Sequence, residues 1–186
     1  GVQDSFIACG VADFVGQKLT KWNEELIMQF YSTTHFYSDG RITWMSEGTR
    51  YQSIVAEWAQ IINALEEQDD DLDSYAKKKM DHNSMSNMYK EIPNEALDTF
   101  KFGSVNFLLS WLPTINLILR HTLLPKSGDH NMIRGHAINL LHIFDVPQKF
   151  KVMSLIVETI KRTAADQKRS CGYAPQIQEL INSKMG

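Results

Sequence analysis

The first clear hydrophobic period begins at Asn23. Two glutamates follow it, and then Leu26, Ile27, Phe30, Tyr31 and Thr34 recur three and four positions apart, as on one face of a helix. Asn23 suits the N-cap, and Glu24 and Glu25 place negative charge in the first turn, where the helix dipole favours it. The spacing then drops to two. In "RITWMSEGTRYQSI", Ile42 and Trp44 alternate with Arg41 and Thr43 until Gly48 interrupts, which predicts a β-hairpin near residues 41–52. Helical spacing returns with Ile54, Val55, Trp58, Ile61, Ile62 and Leu65, with Ser53 available as a cap. Residues 1–65 thus read as a helix-hairpin-helix lobe.

Residues 66–91 show no period. An acidic run, three lysines and a mixture of Ser, Asn and Met make this a polar loop or linker. Beyond it, Ile115, Ile118, Leu119, Thr122 and Leu123 form a helical stripe, and Ile133, Ala137, Leu140, Leu141 and Phe144 form another. Met153, Ile156, Val157, Ile160 and Ala164 make a third, and Ile177, Leu180 and Ile181 a short fourth. Residues 92–186 read as a helical bundle lobe packed with the first as one unit. The fold class is mainly α, with one small hairpin. In "KRSCGYAP", Gly172 is expected to end the helix begun near Gln148 by adopting positive φ, Tyr173 to pack across the junction, and Pro175 to start the last helix. That last helix is expected to fold back on the third stripe.

The most apolar stretch, residues 102–124, has about the ~20 residues that span a bilayer. It also carries Asn106, Ser110, Pro113, Asn116, Arg120 and His121, a polar load unfavourable in lipid. It reads as a buried helix, kinked or split at Pro113, and no membrane partner is expected. Trp58 and Trp111 lie on helical stripes and are assigned to the core.

Composition adds limits. Hydrophobic residues at 43% and charged residues at 22% are an ordinary globular mixture, outside the regime of disordered chains. A formal charge of -3 supplies no overall attraction to phosphate backbones. A nucleic-acid interface would need a local patch, and the available one is a basic helical face formed by Lys149, Lys151, Lys161, Arg162, Lys168 and Arg169, interrupted by Glu158 and Asp166. Cys9 and Cys171 form no repeating pattern, which suits a reducing intracellular setting, cytoplasm or nucleus. The opening "GVQDSFIACG" lacks the basic and apolar regions of an export signal.

Candidate chemistry is thin. A calcium loop begun at Asp69 places Asp71 and Asp73 well, but has Ser74 where glycine makes the sharp turn and Met80 where a bidentate glutamate belongs. His136 and His142 stand six apart, on different helix faces, and neither cysteine has a near cysteine partner, so no zinc set emerges. Cys171 would need a lowered pKa and a neighbouring base to act as a nucleophile. Lys168 and Arg169 beside it suit a helix C-terminus without any catalytic role. Phosphate loops, GxGxxG, GxSxG and HExxH are all missing from the sequence. Neither an enzyme, a metal nor a cofactor is expected.

Four strings occur in order: "KWNEELIMQFYSTTHF", "ITWMSEGTRYQ", "INLILRHTLLPKSGD" and "RSCGYAPQIQELIN". Together they resemble the retrotransposon-derived open reading frames of grass genomes, the plant transposon protein family, from about Phe14 to Asn182. The resemblance implies an element-encoded, mostly helical domain and carries no catalytic residues across. The marks of element enzymes (YxDD, D[ST]G and integrase His/Cys sets) and the CCHC knuckle do not occur in the sequence; "SDG" at 38–40 has the wrong order. The expected function is a non-enzymatic protein-interaction or assembly domain, or such a domain retained by a plant host as a binding module. Its expected partner is another protein or a second copy; the alternative is nucleic acid on the 149–169 face.

Overall fold

The computed structural model describes residues 1–64, 83, 86–89, 105–109, 111–124, 136–145, 152–166 and 172–186. Among these the protein is mainly helical with one small antiparallel sheet. The helices are α1 (Val2–Ala8), α2 (Ala12–Gly16), α3 (Glu24–Thr33), α4 (Val55–Ile61), α5 (Leu112–His121), α6 (His136–Asp145), α7 (Val152–Ala164) and α8 (Ala174–Met185). The strands are β1 (His35–Phe36), β2 (Arg41–Ser46) and β3 (Thr49–Ile54), in the order β1-β2-β3. The acidic run and lysines of 66–79 lie outside the described residues, as does Cys171.

The chain divides into two compact units, each of two segments. One comprises Gly1–Ala12 with Gln68–Phe150, and the other Asp13–Glu67 with Lys151–Gly186. The polypeptide therefore crosses between units three times, near residues 12, 67 and 150, where the hydrophobic pattern marks only the polar stretch at 66–91. Helical and strand periods report which face of an element is buried, and not which distant element covers it.

In the unit of Asp13–Glu67 and Lys151–Gly186, α3 starts as its sequence dictates. The Asn23 side chain accepts hydrogen bonds from the backbone N–H of Glu25 (3.0 Å) and Leu26 (3.2 Å). Ile27, Phe30 and Tyr31 are buried from it. The helical stripe had extended to Thr34, but the helix stops at Thr33 and Thr34 is already extended (φ -66°, ψ 140°). This frees His35 and Phe36 to pair with Thr43 and Ile42, a short strand that its two residues could not announce. The hairpin appears in register, from Ser46 opposite Thr49 to Arg41 opposite Ile54. Its two turn residues, Glu47 and Gly48, both have positive φ (50° and 80°), the mirror-image turn that matches strand twist. Glutamate is a poor left-handed residue, so Glu47→Asn is expected to stabilise the protein by about 0.5 kcal/mol; chemical denaturation with an unchanged m-value checks this. Ser53 is not the cap of α4. Ile54 holds the N-cap position, and the Ser53 hydroxyl instead donates to Glu57 Oε2 at 3.0 Å.

Around the sheet, Phe30, Trp44 and Trp58 form an aromatic core with centroid separations of 5.9 Å and 6.3 Å from Phe30. All three are fully buried. α8 packs against α3 and α4, and α7 packs against α3. The expected pairing of α8 with the stripe of α7 is thus carried chiefly through α3, although Ile177, Leu180 and Ile181 are buried as expected. α7 ends at Ala164, well before Gly172, and its last turn tightens into the Asp166 to Thr163 backbone bond. The left-handed residue described at the junction is Tyr173, φ 60°, directly before α8. Pro175 does lie in the first turn of α8.

In the other unit, α5 packs on α6 and α1 on α6. Phe6 meets Phe144 at 4.9 Å between ring centroids, and the Ser5 hydroxyl donates to the Phe144 carbonyl at 2.6 Å. Cys9 is buried, its thiol 3.8 Å from the Ile143 carbonyl. Pro113 sits in the first turn of α5 and begins that helix where a kink had been one alternative; a 3-10 turn at Val105–Phe107 precedes it. Trp111 is 44% exposed, not core, because it occupies the N-cap position and points off the buried face of Leu112, Ile115 and Leu119. Met88 is fully buried, and its carbonyl accepts from the Leu109 N–H at 2.9 Å. Among the described residues no helix is long and apolar enough to cross a membrane.

Candidate interaction surface

Of the six basic residues proposed for a nucleic-acid face, Lys149, Lys151, Lys168 and Arg169 lie outside the described residues. Lys161 and Arg162 are consecutive on α7 and so project about 100° apart. The Lys161 side chain is exposed, with its ammonium 5.9 Å from the Phe36 ring centroid. Arg162 is half-buried, and its Nε is shielded from solvent without a hydrogen-bond partner. Its charge instead acts on the buried Tyr173 hydroxyl. The two cations are therefore not brought onto one open face.

The last helix carries a different set of polar groups. The Tyr31 hydroxyl donates to the Gly172 carbonyl, and the Trp58 indole N–H donates to the Gln176 carbonyl at 3.0 Å. Gln178 Oε1 accepts from the Asn23 N–H at 2.9 Å, and Glu179 accepts from the Thr20 hydroxyl. Lys184 Nζ lies 3.0 Å and 3.3 Å from the Glu57 carboxylate oxygens. Lys184 and Ser53 hold the Glu57 carboxyl below the usual carboxylate range. A carboxylate so satisfied is a weak proton acceptor, so the Ser53–Glu57–Lys184 contact fits a structural tie better than an activated serine. The recess lined by Lys18, Leu19, Thr20, Pro175, Gln176 and Glu179 has room for about one water-sized group. Among the described residues no three His, Cys, Asp or Glu side chains gather as a metal set.

Beside its charged residues, this unit exposes apolar side chains and open backbone. Leu19, Trp22 and Met28 are 55%, 46% and 62% exposed. The Trp22 indole donates to Glu24 Oε1 at 3.0 Å, and Met28 follows Glu24 by one turn on the solvent side of α3. On the β1–β2 turn, Arg41 stacks over Tyr37 at 4.3 Å while its Nε bonds Asp39 at 2.8 Å. Bonds from the backbone N–H and side chain of Arg41 hold the Asp39 carboxyl below its ordinary range.

The two sides of the sheet are treated differently. Beyond the short β1, the Met45 N–H is accepted by Thr33 Oγ1 at 2.9 Å, and the Glu47 N–H by Gln29 Oε1 at 2.9 Å. Side chains of α3 thereby close that flank. On the far flank β3 is, among the described residues, an edge strand. Among the described residues, the outward backbone groups of Arg50 and Gln52 have no partner. Neither the exposed tryptophan nor the open edge was evident in the hydrophobic pattern; the only sequence signal was Trp22 standing just outside the helical stripe.

Comparison of the chain with protein-family models, with curated proteins and with solved structures finds no match.

Proposed function

We propose that the chain is a non-enzymatic protein-interaction or assembly domain of retrotransposon origin, acting through a protein partner or through self-association. The observation that carries this reading is the exposure of two large apolar side chains, Trp22 just before α3 and Met28 on α3. Aromatic and methionine side chains are over-represented where proteins dock: tryptophan buries much apolar area with few torsions to fix, and methionine adapts its shape to the surface it meets. The proposed origin rests on the four ordered strings. Three of them, covering 21–36, 42–52 and 169–182, belong to one unit, the one that carries the exposed pair. A domain retained by a plant host as a binding module would use the same surface. The reading assigns the protein to the cell interior, cytoplasm or nucleus.

The test compares the protein with a Trp22→Ala/Met28→Ser variant. Light scattering behind size exclusion, over a range of concentrations, measures self-association, and pull-down measures partner capture. The variant is expected to keep its circular dichroism spectrum and to lose association by tenfold or more. A monomeric protein that captures nothing the variant fails to capture overturns the proposal.

A further inference from the structure

The ladder of the hairpin fixes which backbone groups of β3 point away from the sheet. In a two-residue hairpin the residues flanking the turn, Ser46 and Thr49, form a hydrogen-bonded pair, and bonded pairs then alternate with unbonded ones. Trp44–Tyr51 and Ile42–Ser53 are accordingly bonded pairs. Two observations on β2 agree: the Met45 N–H is accepted by Thr33, and the Arg41 carbonyl accepts from the Tyr37 N–H at 2.9 Å, both on the β1 side. It follows that Arg50, Gln52 and Ile54 turn their N–H groups outward, and Arg50 and Gln52 their carbonyls as well. The Ile54 carbonyl already accepts the first bond of α4 and keeps a second lone pair. The side chains of Arg50, Gln52 and Ile54 are exposed too.

We infer that β3 is a docking edge for a second copy of this chain, the two β3 strands pairing antiparallel about a twofold axis at Gln52. This deepens the assembly reading above and rests on it. The strand is complementary to itself in that register. Gln52 faces Gln52 and Arg50 faces Ile54, so every outward donor meets an outward acceptor. Charge fits as well. The two arginines stand four residues apart across the axis, about 13 Å, beyond the screening length at physiological salt. Arg50, which has no acidic partner among the described residues, comes opposite the end of the other strand, three residues before Glu57 of the second copy. A twofold axis at Tyr51 or at Ser53 would leave the outward groups of Ile54 or of Arg50 unmatched, and an axis at Arg50 would set the two arginines face to face. The closed flank, where Thr33 and Gln29 take the free N–H groups, offers no such template.

The experiment is sedimentation equilibrium of the full chain and of Gln52 variants. Wild type is expected to approach twice the monomer mass as concentration rises. Gln52→Pro removes an outward N–H that takes no part in the β2–β3 ladder, and Gln52→Lys or Gln52→Glu puts like charges face to face at the axis. Each is expected to weaken self-association at least tenfold. An equimolar mixture of the Lys and Glu variants is expected to dimerise again, since the axis then joins opposite charges; this rescue also shows that the variants are folded. Wild-type dimers that survive all three substitutions but not Trp22→Ala overturn the β3 edge and leave the assembly reading standing. A wild-type chain that remains monomeric overturns the edge and the self-association arm together.

Discussion

Trp58→Ala is expected to destabilise the protein by about 3–5 kcal/mol, the range for removing a buried tryptophan. Trp58 is fully buried on α4, in edge contact with Phe30 at 6.3 Å, and its indole donates to the Gln176 carbonyl at 3.0 Å. The side chain therefore joins two elements far apart in sequence, both as filling and as a donor. Trp58→Phe separates the roles. It keeps much of the aromatic volume and leaves the Gln176 carbonyl without its donor, a cost of about 1–2 kcal/mol. Urea titrations followed by far-ultraviolet circular dichroism measure both. Equal losses for the two variants would show that filling contributes little and that the hydrogen bond dominates.

Tyr173→Ala is expected to cost about 3 kcal/mol, by the same loss of buried aromatic volume. Tyr173 is buried at 2% exposure and its hydroxyl shares a hydrogen bond with Thr159 on α7, so it joins the start of α8 to the middle of another helix. Burial pushes its hydroxyl pKa well above the ordinary 10.0; the Thr159 bond and the nearby Arg162 charge oppose the shift without cancelling it. The sign of the pH effect follows. Above pH 10 the unfolded chain releases this proton while the folded chain retains it, so the unfolded state binds fewer protons and stability falls as pH rises. Below pH 10 the contribution is complete. Tyr173→Phe removes the titrating group, and the fall in stability between pH 10 and 12 should be shallower in that variant than in wild type. Parallel pH profiles of the urea midpoint would sink the assignment.

Elements whose burial pattern is local were legible from the residues alone. Asn23 with two glutamates and a clean stripe defined α3, the alternation of Ile42 and Trp44 defined the hairpin, and Pro175 defined the start of α8. Short elements were not. α1, α2 and β1 span seven, five and two residues, too few for a period to emerge. Trp111 misled because hydrophobic type was taken for burial, whereas its place at the N-terminus of α5 turns it outward. The candidate surface was the least legible part. Whether a strand is an edge depends on which elements stop beside it, and β3 is open because, among the described residues, no further strand pairs with it on that side. Likewise, Lys161 and Arg162 look alike in sequence, and one is exposed while the other is half-buried with its Nε shielded from solvent.

The unit that holds the hairpin is written in two pieces, Asp13–Glu67 and Lys151–Gly186. During synthesis the first piece leaves the ribosome with its aromatic cluster of Phe30, Trp44 and Trp58 in place but without the helix that supplies Ile177, Leu180 and Ile181. It must wait for all of 68–150 to be made. At about 5–20 residues per second that is a delay of several seconds, spent with apolar surface uncovered. Contacts this distant in sequence also slow the closing step itself. The hairpin strands, made before residues 68–150, are thus secured only after them, and in a crowded cell the exposed hairpin would depend on chaperone cover, or on a neighbouring copy, until α8 arrives.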